Sequence, residues 1–148
     1  MKSDRRNDEY LAGQECDNMV APNDQQTSAD WDGPGCYRMK DPAGMWIPDW
    51  EVLANGGCRT HGGGYLETKH PTSMNKPVEA TVCFNEWNNG TEYKCNRHVN
   101  ITITNCFDYF VYGLSSLTCD DIAMKYCAAK GCPLGHYNFP KCTSMYRS

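Results

Sequence analysis

Apolar and polar positions alternate most regularly at residues 99–104, where Val99, Ile101 and Ile103 are interleaved with Asn100, Thr102 and Thr104. A period of two predicts a strand with one buried face. Beyond Cys106, Tyr109, Phe110, Val111 and Tyr112 are β-formers in a row and predict a second, more deeply buried strand. Val78, Ala80 and Val82 mark another alternating run, and Asn89-Gly90 after it is a strong hairpin signal. Shorter strands are expected at Cys36–Met39, Gly44–Ile47 and Tyr65–Glu67. Thr118-Cys119-Asp120-Asp121 has the character of a helix start, with Thr118 as cap and two aspartates at the positive end, and Gly131 is placed to stop that helix. Cys119, Ala123 and Cys127 would then share one helical face. The expected fold class is a small disulfide-rich, mainly β domain of antiparallel strands and a hairpin, with one short helix near residues 119–130.

Composition explains how so thin a core can hold. Leu, Ile, Val and Phe together supply only 20 of 148 residues, yet the formal net charge is only -4, so disorder is not the expected result. Ten cysteines without a close CxxC pair resolve the conflict, since a disulfide framework compensates for a poor core. That framework implies an oxidising, secreted or extracellular setting. The near balance of 14 basic and 18 acidic residues gives no excess to attract nucleic acid, and no apolar run reaches membrane-spanning length. Residues 1–9 lack the apolar stretch of a leader, so the chain reads as a mature or excised piece of a larger protein.

Three regions follow from the punctuation. Residues 1–15 are polar and charged and read as a flexible arm, tied down by Cys16. Residues 16–130 form the body. Residues 131–148, with Cys132, Pro133, Pro140 and Cys142, read as a small disulfide-closed tail or as the first turn of a following module. Trp31, Trp46 and Trp50 are expected as core fillers where aliphatic residues are scarce. Within the body, Cys83 and Cys95 stand six residues either side of Asn89, so hairpin pairing brings them opposite each other to within a residue, close enough to bridge.

Catalytic chemistry finds little support. His61-Gly62-Gly63-Gly64 matches an oxyanion-hole string of esterases, but no G-x-S-x-G elbow accompanies it and the chain is too short for that fold; a flexible glycine loop is the better reading. His61, His70, His98 and His136 lack metal-site spacing, and Asp120-Asp121 alone reads as a helix start rather than a calcium site. The chain is therefore expected to be no enzyme and to need no cofactor or metal. Two motifs do carry information. Asn89-Gly90-Thr91 and Asn100-Ile101-Thr102 are N-glycosylation sequons, one at the predicted hairpin tip and one on the polar face of its strand.

The order of several segments is specific when taken together. Gly35-Cys36-Tyr37-Arg38-Met39, Cys58-Arg59-Thr60, Tyr65 to Pro71, Val82-Cys83, Cys95, Ile101 to Cys106, Tyr109 to Leu114, and Cys119 to Tyr126-Cys127 resemble the eight-cysteine domain of the uromodulin and pancreatic zymogen-granule glycoprotein family, over roughly residues 7 to 127. The resemblance implies pairing of Cys16 with Cys119, Cys58 with Cys127, and Cys83 with Cys95. Cys36 stands where that family carries tryptophan, so Cys36–Cys106 follows as a relocated bridge, and Cys132–Cys142 remains as a local closure. It also implies a non-catalytic extracellular glycoprotein module serving adhesion, matrix or filament assembly, with other extracellular proteins, like subunits or glycan-binding proteins as partners. The family's Asn-Gly-Thr-His sequon is replaced here by Glu67-Thr68-Lys69-His70, which speaks against a decoy role for bacterial adhesins. The alternative reading is a carbohydrate-binding module that uses exposed aromatic residues among Trp31, Trp46, Trp50 and Trp87.

Overall fold

The structure, a computed structural model, describes residues 4–11, 13–17, 25–28, 30–119 and 122–130. A 3-10 turn at Asp4–Arg6 precedes a short parallel pair, β1 (Glu15–Cys16) and β2 (Gln26–Thr27). Six further strands form one sheet: β3 (Gly35–Tyr37), β4 (Gly62–Leu66), β5 (Val78–Asn88), β6 (Thr91–Asn105), β7 (Phe110–Leu114) and β8 (Met124–Tyr126). Their spatial order is β3-β7-β6-β5-β4-β8, antiparallel throughout except for the parallel β4–β8 pair. The alternating runs become strands as expected. Ile101 and Ile103 of β6 and Phe110, Tyr112 and Leu114 of β7 turn into the core. They meet Trp31, Met39, Trp46, Ile47, Phe84 and Tyr126 there.

The β5–β6 hairpin turns on Asn89 and Gly90, at φ of 52° and 77°, the left-handed pair that suits the twist of the flanking strands. Its two arms are not in one continuous register. Trp87 faces Glu92, but Phe84 faces Arg97 and Cys83 faces His98, because β6 carries extra residues opposite Asn85. Cys95 sits in this bulge at φ 49°, and the Cys83–Cys95 bridge closes across it with the Cα atoms 4.6 Å apart. The buried Asn85 side chain fills the bulge. Its Oδ1 accepts from the Cys95 amide (2.9 Å) and the Tyr65 hydroxyl (2.6 Å). Its Nδ2 donates to Glu51 (2.7 Å) and Glu92 (3.0 Å). Every hydrogen-bonding capacity of that amide is used, as a buried amide requires.

The helix expected near residues 119–130 is absent: Met124–Tyr126 is the strand β8, and Ala128 and Ala129 bridge to Asn7 and Trp46. Helical spacing presupposes one exposed face, whereas every described residue from Ile122 to Ala129 is buried. A segment covered on both sides gains more from a strand ladder than from local capping. The partner that makes this close docking feasible is the glycine run, read from sequence as a flexible loop. Gly62, Gly63 and Gly64 are the interior of β4, facing Met124, Lys125 and Tyr126. A Cβ at Gly63 would lie 2.7 Å from Cys127 Sγ and 2.8 Å from Val52 Cγ1, so no side chain fits beneath the groups packed on that face of β4.

Within the segment expected as a flexible arm, Arg6, Asn7, Asp8 and Glu15 are bonded to the body. Arg6 is fully buried and donates to both oxygens of Asp17 (2.7 and 2.8 Å), to Asp30 and to the Tyr126 carbonyl. Asp17 in turn accepts the Tyr126 amide at 2.8 Å. Beside them Lys125 Nζ meets Glu15 Oε1 at 2.7 Å, and Arg5 meets the other Glu15 oxygen at 2.6 Å. Polar composition suggested solvation, but each charge here has an opposite charge to meet inside the fold.

Disulfides join Cys16 to Cys119, Cys58 to Cys127 and Cys83 to Cys95. Linking residues 103 apart in sequence, as Cys16–Cys119 does, contributes on the order of 4–5 kcal/mol in the chain-entropy model. The inferred Cys36–Cys106 bridge does not form, and both are thiols. Cys36 faces Gly113, which faces Thr102, and Cys106 lies four residues farther along. That offset is roughly 13 Å along the strand plus two interstrand steps of about 4.8 Å, where a disulfide needs Cα atoms within about 7 Å. Cys132, Cys142 and the 131–148 tail lie outside the described residues.

Candidate functional site

The esterase-like string provides no oxyanion hole. The Gly62 amide donates to the Ala123 carbonyl at 2.8 Å, and the rest of the run is paired in the β4–β8 ladder, with every residue of β4 buried. Among the described residues, no three His, Cys, Asp or Glu side chains converge to hold a metal ion.

A set of residues that sequence spacing did not single out is Asp49, His70 and Tyr112. His70 Nε2 lies 2.7 Å from the Tyr112 hydroxyl, and His70 Nδ1 lies 3.6 Å from Asp49 Oδ2. The Ile47 amide donates to the same hydroxyl at 3.0 Å. The hydroxyl thus accepts from Ile47 and shares a second hydrogen bond with His70 Nε2. Burial raises the Tyr112 pKa well above its ordinary value and keeps the phenol neutral. The arrangement resembles a relay, but Tyr112 is 0% exposed and the His70 ring packs at a tilt against the Phe110 ring, 4.4 Å between centroids. His70 is buried as well. The arrangement ties the 46–49 segment and His70 to β7.

The hairpin carries what reaches solvent. Asn89 is exposed at the turn itself. Asn100 is exposed on β6 opposite Thr81, whose hydroxyl donates to its Oδ1 at 3.3 Å. Thr91 and Thr102, the hydroxyl residues of the two sequons, are exposed as well. Both asparagines thus sit on one hairpin held by the Cys83–Cys95 bridge and the Asn85 network.

Of the four tryptophans, Trp31 and Trp46 fill the core at 4% and 3% exposure. Trp50, expected there too, is 42% exposed and donates its indole N–H to Asp8 at 3.0 Å. Trp87 is 56% exposed and borders an open groove of about 250 Å³ lined also by Asn55, His61, Glu86 and Ile122. Ordinary backbone and side-chain bonds position these groups. Glu92, the cross-strand neighbour of Trp87, accepts the Ala54 amide at 2.7 Å and so holds the 53–56 turn beside the strand. The Asn55 amide donates to the His61 carbonyl at 2.7 Å, and Gly62 is tied to Ala123, next to Ile122. Glu86 is held by Asn96 and by Arg97, the latter at 3.4 Å.

The family model of the uromodulin-like D8C domain matches residues 37–128. The chain belongs to that family. Among curated proteins nothing matches it significantly. Six of the ten cysteines fall within the matched D8C span, and Cys16, the partner of Cys119, precedes it. The D8C assignment and the disulfides are consistent with an extracellular setting.

Proposed function

We propose that this D8C domain is a non-catalytic, secreted glycoprotein module that presents a rigid surface and N-glycans at Asn89 and Asn100 in adhesion, matrix or filament assembly. Its partners would be other extracellular proteins, like subunits, or proteins that read glycans. The observation that carries this reading is the placement of both sequon asparagines, exposed, on the β5–β6 hairpin that lies in the middle of the sheet. A glycan there is carried on a stiff arm, because the Cys83–Cys95 bridge and the Asn85 bonds fix the hairpin's internal register. Two attachment points on the same hairpin also give a partner two sugars at a fixed separation, which raises avidity without any protein contact.

The test is intact-mass analysis of the domain secreted from mammalian cells, with Asn89→Gln and Asn100→Gln variants. Each substitution is expected to remove one glycan's mass, and the double variant to remove both while still being secreted. Secreted wild-type protein with neither asparagine modified would overturn the glycan-presenting role.

A further inference from the structure

We infer that the groove beside Trp87 is a saccharide-binding site that takes one neutral pyranose ring, a hexose or N-acetylhexosamine. A pyranose has an apolar C–H face and a rim of hydroxyls that both donate and accept. The site that suits it combines an exposed aromatic plane with planar polar side chains at its edge. Trp87 supplies the plane, and an indole 56% exposed on the surface of a domain that buries Trp31 and Trp46 has no role in the core. Asn55 and His61 supply the polar edge. Among the described residues, neither the Asn55 side-chain amide nor the His61 ring makes a hydrogen bond, while their backbones are fixed to each other and, through Gly62, to Ala123. Glu86 adds a carboxylate held by Arg97, and the buried Ile122 borders the groove. The backbone bonds hold Asn55 and His61 beside the groove, and their side-chain donors and acceptors have no competing partner among the described residues.

Size and charge narrow the ligand. At about 250 Å³ the groove lies below the roughly 300–1,000 Å³ of sites for drug-sized molecules, which fits a single sugar ring. Among the described lining residues the one carboxylate, Glu86, is paired with Arg97, so neither an acidic nor a basic sugar is favoured over a neutral one. The sugar has two sources: a glycan on another molecule, or the domain's own glycan at Asn89, two residues from Trp87 along the hairpin.

Saturation-transfer NMR with the methyl glycosides of glucose, galactose, mannose and N-acetylglucosamine tests the site. It is run on the secreted domain, on the enzymatically deglycosylated domain and on the Asn89→Gln variant. At least one probe is expected to show transfer to its ring C–H protons. Trp87→Ala is expected to weaken binding about tenfold, as loss of a stacking partner does. Trp87→Tyr should retain it within a few-fold, and Asn55→Ala and His61→Ala should each weaken it several-fold. Trp50→Ala removes a comparably exposed indole elsewhere and should leave binding unchanged. Transfer in all three forms assigns the site to an external glycan; transfer only in the deglycosylated and Asn89→Gln forms assigns it to the domain's own. The proposal fails if no probe binds any form, or if folded Trp87→Ala binds as well as wild type. Neither failure affects glycan attachment at Asn89 and Asn100, which the mass measurement decides separately.

Discussion

Arg6 Nη2 lies 2.7 Å from Asp17 Oδ1, and neither side chain has any contact with solvent. Burial acts to lower the arginine's pKa, but Asp17 and Asp30 outweigh it and hold the pKa above its ordinary value, so the guanidinium stays charged in the fold. Removing one partner strands the other. Arg6→Ala is expected to cost about 3–5 kcal/mol in unfolding free energy, as for other broken buried pairs. An Arg6→Met/Asp17→Leu double variant should lose clearly less than the two single variants summed. Additive losses in chemical denaturation would show that the pair is not coupled.

Glu15 makes stability depend on acid. Burial raises its pKa, but the Lys125 and Arg5 partners prevail and hold it below the ordinary 4.5. A depressed carboxyl pKa means that the fold favours the ionised form. Its contribution is complete above about pH 4.5 and is lost as pH falls through the folded value. Lys125 has the opposite sign: burial, with Arg6 nearby, lowers its pKa, so the ammonium costs stability at neutral pH and is relieved only as pH rises. In Glu15→Gln the loss of stability below about pH 5 should flatten, measured by denaturation at stepwise pH. Parallel curves for variant and wild type would show that Glu15 does not set the acid limb.

Two glycines should fail for different reasons. Gly63→Ala places a Cβ 2.7 Å from Cys127 Sγ on the packed face of β4. Overpacking of that kind costs about 1–3 kcal/mol. Gly90 stands at φ 77° with open space around it, so Gly90→Ala meets no atom and is strained only through its backbone, about 1 kcal/mol. Thermal melts should rank Gly63→Ala as the more damaging. The reverse order would mean that β8 can shift away from β4.

The Tyr112 hydroxyl serves two partners at once. Tyr112→Phe leaves the ring in the core but takes the acceptor from the Ile47 amide and the hydrogen-bond partner from His70 Nε2. A loss of about 1–3 kcal/mol is expected, the cost of buried polar groups left without that partner. A change under half of the lower bound would show that the two groups find other partners when the hydroxyl is gone.

What was legible in the sequence was the part governed by local pattern. The alternation of Val99, Ile101 and Ile103 and the Asn89-Gly90 turn put the hairpin and its two sequons in place, because period and turn chemistry act over a few residues. Where sequence reading failed, long-range packing had overridden local preference. Thr118 and the cysteine spacing pointed to a helix, yet the chain from Met124 to Tyr126 is a strand because the side-chain-free Gly62–Gly64 backbone lies ready to pair with it. Arg6 looked solvated because its partners, Asp17 and Asp30, come from other parts of the chain. The Trp87 groove had the same obstacle. Trp87 was visible as an aromatic, but Asn55 and His61 join it only through the Glu92–Ala54 bond and the β4 ladder.

Register also separates the remaining thiols. Cys36 is exposed on the edge strand β3, and Cys106 is half-buried where the chain leaves β6. The β3–β7–β6 pairing holds them well beyond bridging distance, with the Arg38 guanidinium stacked 4.1 Å over the Tyr109 ring in the same corner of the sheet. An exposed thiol reacts with a maleimide without unfolding, whereas the bridged cysteines do not. Labelling of native, unreduced protein followed by peptide mapping should therefore modify Cys36 quickly and Cys106 more slowly. Peptides joined at Cys16–Cys119, Cys58–Cys127 and Cys83–Cys95 should be recovered intact. A peptide pair joined at Cys36–Cys106 would require β3 to slide along β7 by several residues, and would overturn the register of that edge of the sheet.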